Sequence, residues 1–449
     1  MDTSALVTEG DINLSEERYK WNDKINDILT RELLTDDARY FLHQSMSTPC
    51  LDVLESCAGS GITTISGKHL LDFHGNNVHQ VGYGNRYVIR QLIRQLNNLA
   101  FSPRRYTNRP AIELAKKLAG LLPGDLNRSL YAPGGTLAIG MALKLARVVT
   151  GRYKIIALRD SFHGASLDSI SAGGEEVFRK YMGPLMPGVI HIPQPETYRG
   201  IYGNSEENQI HYAENLEETI KKEGNIGAFL AETLRNTDVQ IPSVAYWIKV
   251  REICTKYNVL LILDEIPIAL GRTGEMFAFQ HFGIEPDILC IGKGLGGGMI
   301  PFAAMVTRDR YNIAQDISLG HYTHEKSPLG SIAAIATIDF IQKKNILEKV
   351  KADGIWMKEE LSRLKKRYPL IQDIRGVGLL WGIELVKDPV TKMKATEEAE
   401  KIMYHCLKNG LNFKVSGGNV IQLSPSLTIN RKEMSIALSI LEDAFNKFS

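Results

Sequence analysis

Short apolar runs alternate with amphipathic stretches over most of the chain. Residues 137–149 and 244–257 have the pattern of helices that cover a sheet. Each apolar run is followed by a turn or a polar cluster, as is typical of strands buried on both faces of a sheet. The alternation predicts an α/β fold with a mostly parallel sheet and crossover helices. The predicted strands are residues 154–158, 228–232, 259–265, 288–292 and 302–306.

Composition divides the chain into three parts. Residues 14–46 are polar and helical in pattern, and we expect residues 1–70 to form an N-terminal arm and part of a small domain. Residues 71–344 carry the apolar runs and predict a large domain. From residue 345 a long charged helix is followed by alternating polar and apolar pieces, so residues 345–449 predict a smaller α+β domain.

The bulk properties exclude several classes of function. A net charge of +2 over 449 residues gives no general attraction to nucleic acid or to an acidic membrane. The five cysteines are dispersed without a C-x-x-C pair, so neither a metal site nor a disulfide framework is expected. No apolar run approaches the roughly 20 residues of a membrane span, and the polar N-terminus does not resemble a signal peptide. We therefore expect a cytoplasmic protein without a nucleic-acid or membrane partner.

Chemically reactive side chains follow several of the predicted strands. Asp264 ends one run, Lys293 follows another, and Gly135 and Thr136 open a predicted helix in the stretch YAPGGT. Ligands of open parallel sheets bind at the carboxyl ends of the strands. Each residue alone also has an ordinary explanation, because glycine turns make tight connections, lysines are usually exposed and a strand-end aspartate often caps a helix.

The stretch SFHGAS adds an aromatic ring at Phe162 and an imidazole at His163. Taken singly, Phe162 suits a position in the hydrophobic core, and His163 suits a turn in which its imidazole is hydrogen-bonded. Together with the other candidates they form a consistent set. A desolvated lysine can join an aldehyde, a buried carboxylate can meet a protonated pyridine nitrogen, a ring can stack, and a helix N-terminus can hold a phosphate. These are the four requirements of pyridoxal 5′-phosphate.

Six motifs in this order resemble the class III aminotransferases, which are fold-type I enzymes dependent on pyridoxal phosphate. The motifs are YAPGGT, SFHGAS, LILDEIPIALGRTG, GKGLGGGMIP, GHYTHEKSPLGSIAA and RGVGLLWGIEL. The resemblance runs from about residue 40 to the end of the chain. It implies a large domain around a mostly parallel seven-stranded sheet and a smaller α+β domain.

The resemblance also implies a role for each matching residue. Lys293 matches the lysine that forms the Schiff base, and Asp264 matches the partner of the pyridine nitrogen. Phe162 matches the aromatic residue that stacks on one face of the cofactor ring, and Ile266 matches the branched residue that packs on the opposite face. Thr323 matches a threonine that reaches the phosphate of a neighbouring subunit, which implies a homodimer with active sites at the interface. The other expected cofactor residues are Gly135, Thr136 and His163.

The sequence departs from the family pattern around the expected site. Pro267 stands where the family usually has a glutamine that approaches the ring hydroxyl of the cofactor. Residues 325–328 replace a G-G-N-P pattern, and residues 232–237 replace a stretch that usually reads E-P followed by glycines. These changes weaken the case for ordinary amino transfer to 2-oxoglutarate.

Paired arginines suggest the charge of the substrate. Arg104 and Arg105 lie in a stretch that lines the substrate entrance in the family, and Arg235 could add to the same pocket. Guanidinium groups suit a dianion such as a phosphonate. The alternative is that the arginines form ion pairs at the surface.

The motifs look most like a subgroup of lyases that break down aminophosphonates. We therefore expect an ammonia-lyase acting on a small anionic amine that carries a phosphonate. Two other enzyme activities remain open: an ω-aminotransferase that passes the amine to a 2-oxo acid, and a phospholyase that acts on a phosphorylated amino alcohol. A regulator with this fold would be expected to lack the lysine or the aspartate, and both are present.

Overall fold

The computed structural model describes residues 15–44, 50–203 and 205–449. Contacts between Cα atoms divide them into two compact units. The smaller unit takes the described residues up to Asn85 together with Thr237–Val239 and Glu348–Ser449, and the larger unit takes Arg86–Asn236 and Gln240–Leu347. The domain boundaries expected from composition, at residues 70 and 345, stay predictions.

The N-terminal part of the smaller unit contains two helices and three strands. The helical pattern over residues 14–46 corresponds to α1 and α2, and residues 14, 45 and 46 lie outside the described residues. Ser15 and Asp27 cap the two helices with their side-chain oxygens. The elements are α1 (Glu16–Asp23), α2 (Ile28–Tyr40), β1 (Leu54–Ala58), β2 (Gly61–Thr64) and β3 (His69–Asp72).

The larger unit alternates strands and helices. Its elements are α3 (Arg86–Asn98), α4 (Arg109–Leu121), β4 (Leu126–Ala132), α5 (Gly135–Thr150), β5 (Lys154–Leu158), α6 (Leu167–Ala172), α7 (Glu176–Arg179), β6 (Val189–Ile192), α8 (Glu206–Glu223), β7 (Ile226–Glu232), α9 (Val244–Tyr257), β8 (Leu260–Asp264), β9 (Ile288–Ile291), β10 (Ala303–Arg308) and α10 (Pro328–Lys343).

The C-terminal part of the chain completes the smaller unit. Strands β11, β12, β16 and β15 form one sheet with β13 beside β12, while β14 pairs in parallel with β3. The elements are α11 (Ile346–Arg367), β11 (Ile371–Val377), β12 (Leu380–Asp388), β13 (Met393–Lys394), α12 (Thr396–Lys408), β14 (Leu411–Asn412), β15 (Lys414–Ser416), β16 (Val420–Leu423) and α13 (Arg431–Phe448).

A seven-stranded sheet forms the centre of the larger unit, in the order β4-β10-β9-β8-β7-β5-β6. Strands β5 to β9 run parallel to one another, and β10 is antiparallel to both β4 and β9. Strand β4 therefore runs in the same direction as β9. The expected mostly parallel seven-stranded sheet is confirmed, and the carboxyl ends of β4, β5, β7, β8 and β9 meet at one edge.

The sequence explains why these elements form where they do. All residues of β7 and β8 are buried, as their apolar runs predict. Helix α9 begins where the Ser243 hydroxyl accepts from the Tyr246 N–H and ends at Asn258, which adopts the left-handed conformation. Helix α10 begins with Pro328 after the cap Ser327, which suits proline because the first N–H of a helix has no partner within it.

Candidate active site

Asp264 ends β8 as a buried carboxylate with two hydrogen-bond partners. Its side chain is almost inaccessible, and Oδ1 accepts from the Ile266 N–H at 3.0 Å. Oδ2 lies 2.9 Å from Nδ1 of His163, which is also buried. Within the described part of the chain, the buried Nε2 of His163 has no hydrogen-bond partner. A buried carboxylate is costly without a cation, so Asp264 suits a protonated ring nitrogen.

Glu265, the neighbour of Asp264, has a structural role that the sequence did not reveal. It is completely buried, and burial raises the pKa of its carboxyl to about 7. Its oxygens accept from the Thr233 hydroxyl at 2.9 Å and from the N–H groups of Ala278 and Phe279 at 2.7 Å. Glu265 therefore holds the segment after β8 in place, and Asp264 is the acid left for chemistry.

The N-terminus of α5 has the features of a phosphate site. The cap residue Gly134 offers no side chain to the first N–H groups of the helix, so these donors can bind an anion. The Thr136 hydroxyl lies 2.8 Å from that of Ser166 and 2.9 Å from that of Ser169. Both serines escaped the sequence reasoning, although Ser166 is the last residue of the SFHGAS motif and could have been identified there.

Gly164 lies in the turn after β5 and packs closely against Thr136. Its φ of +123° lies in the region that favours glycine, and a Cβ there would meet the Thr136 hydroxyl oxygen at 2.3 Å. No larger residue fits at Gly164 without moving Thr136.

Ile266 connects Asp264 to the two glycine turns at the same edge of the sheet. A Cβ on Gly135 would lie 2.8 Å from Cδ1 of Ile266, and one on Gly292 would lie 3.3 Å from its Cγ2. The start of α5, the end of β8 and the turn before Lys293 therefore pack against one side chain. The expected packing of Ile266 against the cofactor ring stays a prediction.

Lys293 follows β9 and begins a short 3-10 helix, Lys293–Gly296. Its side chain is half-buried, and its φ of +47° is unusual for a residue other than glycine. Such backbone conformations cost energy and are concentrated at functional sites. Lys293, Ile266 and Gly135 are brought to one edge of the sheet, as the sequence predicted for strand-end residues.

Phe162 lies in the turn after β5, where its ring is half-buried. The ring packs at 4.6 Å from that of Phe178, measured between centroids, and its backbone N–H donates to Glu232 at 3.3 Å. The turn thus presents Phe162 beside His163 and, through His163, beside Asp264.

Thr323 is exposed in a turn that precedes α10. In the same turn Glu325 accepts from the His321 N–H at 3.2 Å, and the Lys326 carbonyl accepts from the side chain of Asn108 at 2.9 Å. These contacts give Glu325 and Lys326 a part in shaping the turn. The expected reach of Thr323 to a neighbouring subunit stays a prediction.

The three candidate substrate arginines lie in different surroundings. Arg104 is half-buried and lines a cavity of about 490 Å³ with Arg128, whereas Arg105 is exposed. None of the predicted cofactor residues lines that cavity among the described residues. Arg235 forms an ion pair with Glu175 at 3.0 Å. Of the three candidate arginines, only Arg104 lines this cavity.

The described ranges contain no group of three or more His, Cys, Asp or Glu side chains arranged to hold a metal ion. Among the helices in those ranges, none combines the length and the apolar character that crossing a bilayer requires.

The site fits pyridoxal 5′-phosphate in its donor chemistry. The open N-terminus of α5 suits the phosphate, Asp264 suits the ring nitrogen, and Lys293 suits the aldehyde. Ile266 supplies an apolar surface between the two glycine turns.

Comparisons with known proteins agree with this geometry. Residues 43–445 match the family model "Aminotransferase class-III". The chain is 56% identical to the (R)-1-hydroxy-2-aminoethylphosphonate ammonia-lyase of Vibrio splendidus, over 98% of this chain and 95% of that protein. It is 30% identical to the taurine–pyruvate aminotransferase of Bilophila wadsworthia, over 92% of this chain and 97% of that protein.

Solved structures give the same result for the fold. A thermostable (S)-enantioselective ω-transaminase from Thermomicrobium roseum superposes with a TM-score of 0.87 at 29% identity, over 93% of this chain and 98% of that one. The expected fold class and the expected cofactor, pyridoxal 5′-phosphate, are thereby confirmed. The chain is an enzyme that belongs to the class III aminotransferase family.

Proposed function

We propose that the protein is an ammonia-lyase that converts (R)-1-hydroxy-2-aminoethylphosphonate to phosphonoacetaldehyde and ammonia. The observation that carries this proposal is the 56% identity to the Vibrio splendidus ammonia-lyase over 98% of the chain. The buried Pro267 supports it, because it removes the polar contact that aminotransferases of the family usually make.

The reaction balances without a second substrate. Loss of a proton from the carbon bearing nitrogen and of the hydroxyl from the neighbouring carbon eliminates water and leaves an enamine. Hydrolysis of its imine tautomer consumes one water and yields the aldehyde and ammonia. The water lost is regained, so no 2-oxo acid is required.

The residues of this chain have distinct roles in the proposal. Bound pyridoxal phosphate withdraws electrons from the carbon bearing the amine. Lys293 takes the proton from that carbon and supplies the proton that the departing hydroxide needs. Asp264, held by His163 and the Ile266 N–H, keeps a negative charge facing the ring nitrogen. The start of α5 and Thr136 hold the phosphate.

We further propose a cytoplasmic homodimer with active sites at the interface, acting in phosphonate catabolism. Two separate observations support contact with a second copy: the exposed position of Thr323 in the larger unit, and the exposed apolar side chains Ile28 and Leu29 on α2 of the smaller unit. All five cysteines lie among the described residues and none of them is joined in a disulfide, which suits a reducing compartment.

The proposed activity is tested by mixing protein, cofactor and (R)-1-hydroxy-2-aminoethylphosphonate without any 2-oxo acid. We expect ammonia and aldehyde in equal amounts and no inorganic phosphate. 2-Aminoethylphosphonate is the matched control, because it lacks the leaving hydroxyl and should release no ammonia. Turnover only in the presence of a 2-oxo acid would identify an aminotransferase. Release of ammonia and inorganic phosphate from a phosphorylated amino alcohol in a parallel assay, with no turnover of the phosphonate, would identify a phospholyase.

Replacement of Arg104, Arg105 or Arg235 by alanine tests the proposed grip on the phosphonate. Loss of a forked bond to the dianion should raise KM by about 10- to 100-fold with little change in kcat. Arg128→Ala is the control, because Arg128 lines the same cavity as Arg104 but pairs with Asp309. Unchanged KM in all three variants would place the phosphonate elsewhere.

A further inference from the structure

Glu232 is a second buried acid at the carboxyl edge of the sheet. It ends β7, where the strand register places it directly beside Asp264 of β8. Its side chain is almost completely inaccessible, and burial raises the pKa of its carboxyl to about 7. A second carboxyl beside a buried carboxylate adds a desolvation cost and a repulsion, so its presence needs a specific explanation.

The two oxygens of Glu232 reach two different turns. Oε1 accepts from the backbone N–H of Phe162 at 3.3 Å, and Oε2 accepts from the backbone N–H of Asn236 at 3.0 Å. One turn follows β5 and the other follows β7. A carboxylate joins them because both of its oxygens accept, whereas an amide has a single acceptor oxygen.

The turn after β5 connects Glu232 with Asp264 through hydrogen bonds. Its first part is held by the Ser161 hydroxyl, which donates to the Leu158 carbonyl at 2.7 Å. The next residue, Phe162, is held at its backbone by Glu232, and His163 then brings Nδ1 to 2.9 Å from Asp264. Glu232 and Asp264 are therefore connected twice, once through the sheet register and once through the Phe162–His163 turn.

Glu265 provides the contrast. It is as deeply buried and next to Asp264 in the chain, yet its three partners lie in the segments around Thr233 and Ala278, not in the turn of Phe162. The two glutamates are thus similarly buried, but they accept hydrogen bonds from different segments of the chain.

We propose that Glu232 is a positioning residue for the cofactor, because it fixes the turn that presents the Phe162 ring and holds His163 against Asp264. The inference rests on the proposed roles of Phe162, His163 and Asp264, and it does not depend on which substrate the enzyme uses.

The variant Glu232→Gln tests this inference without any substrate. It should weaken cofactor binding about tenfold, the size of one lost hydrogen bond to a charged group, and change the visible circular dichroism of the bound cofactor. Glu265→Gln should lower the Tm but leave both cofactor signals as in the wild type. The inference is overturned if Glu232→Gln, like Glu265→Gln, changes only the Tm.

A double-variant cycle tests the route through His163. If Glu232 acts by placing His163, then Glu232→Gln should have little further effect on cofactor binding in a His163→Gln background. Fully additive effects would overturn this route. Should Glu232→Gln fail to fold, Glu232→Asp keeps the charge but is one methylene too short to span both turns, and it should show the same loss. A failed ammonia assay with the wild type would leave these cofactor measurements unaffected.

Discussion

Replacement of Lys293 by alanine should abolish the visible absorbance of cofactor joined to the protein and reduce kcat by about 10²- to 10⁴-fold or more. Alanine removes both the amine that joins the aldehyde and the group that moves the proton. The backbone should tolerate the change, because alanine and lysine meet the same restriction at a φ of +47°. The checks are an absorption spectrum with added cofactor and a steady-state assay of ammonia release.

Lys392→Ala is a matched control for this experiment. Lys392 also has a positive φ, of 55°, but lies in the turn between β12 and β13 of the smaller unit. It should keep the wild-type spectrum and rate. A Lys293→Ala variant that retained the absorbance would refute the assignment of this lysine.

Replacement of Asp264 by asparagine should lower kcat by about 10²- to 10³-fold and weaken cofactor binding. The amide keeps an acceptor for the Ile266 N–H but removes the negative charge that faces the ring nitrogen. It would also present an N–H group to Nδ1 of His163, so the imidazole would have to become the acceptor. Spectral titration with cofactor and the rate of ammonia release measure the two effects.

Glu265→Gln separates this loss from a general effect of removing a buried charge. An amide cannot accept from all three donors as the carboxylate does, so unfolding free energy should fall by about 1–3 kcal/mol. Cofactor affinity should stay near that of the wild type. A wild-type kcat in Asp264→Asn would show that the charge of Asp264 is not needed.

The interior strands were predictable from sequence because burial on both faces leaves an uninterrupted apolar run. Strand β5 has the predicted bounds, β9 ends one residue earlier, and helix α9 has the predicted bounds together with its capping serine and asparagine. Two strands, β4 and β6, were missed. Both lie at the edges of the sheet, and β4 is half-exposed with Asn127 and Arg128 facing outward, so no apolar run marks it.

The candidate site was predictable only in part. Asp264, Lys293 and the glycines before α5 are marked by their positions at the ends of apolar runs. No such sequence signal identifies Ser169 or the residues that donate hydrogen bonds to Glu265. The structure also places Arg104 in a cavity that Arg235 does not line, although charge alone had grouped the two arginines.

The sequence by itself determined the chemistry available to this protein: a lysine, an acid, an aromatic ring and an uncapped helix start in the order of the class III family. The tertiary structure decided which groups each of the neighbouring acids contacts. The sequence and the family resemblance already singled out Asp264, whereas the structure shows that His163, 101 residues away in the chain, contacts Asp264 and that the register of β7 against β8 places Glu232 beside it. Hydrogen bonds over such separations depend on strand pairing, which no local pattern specifies.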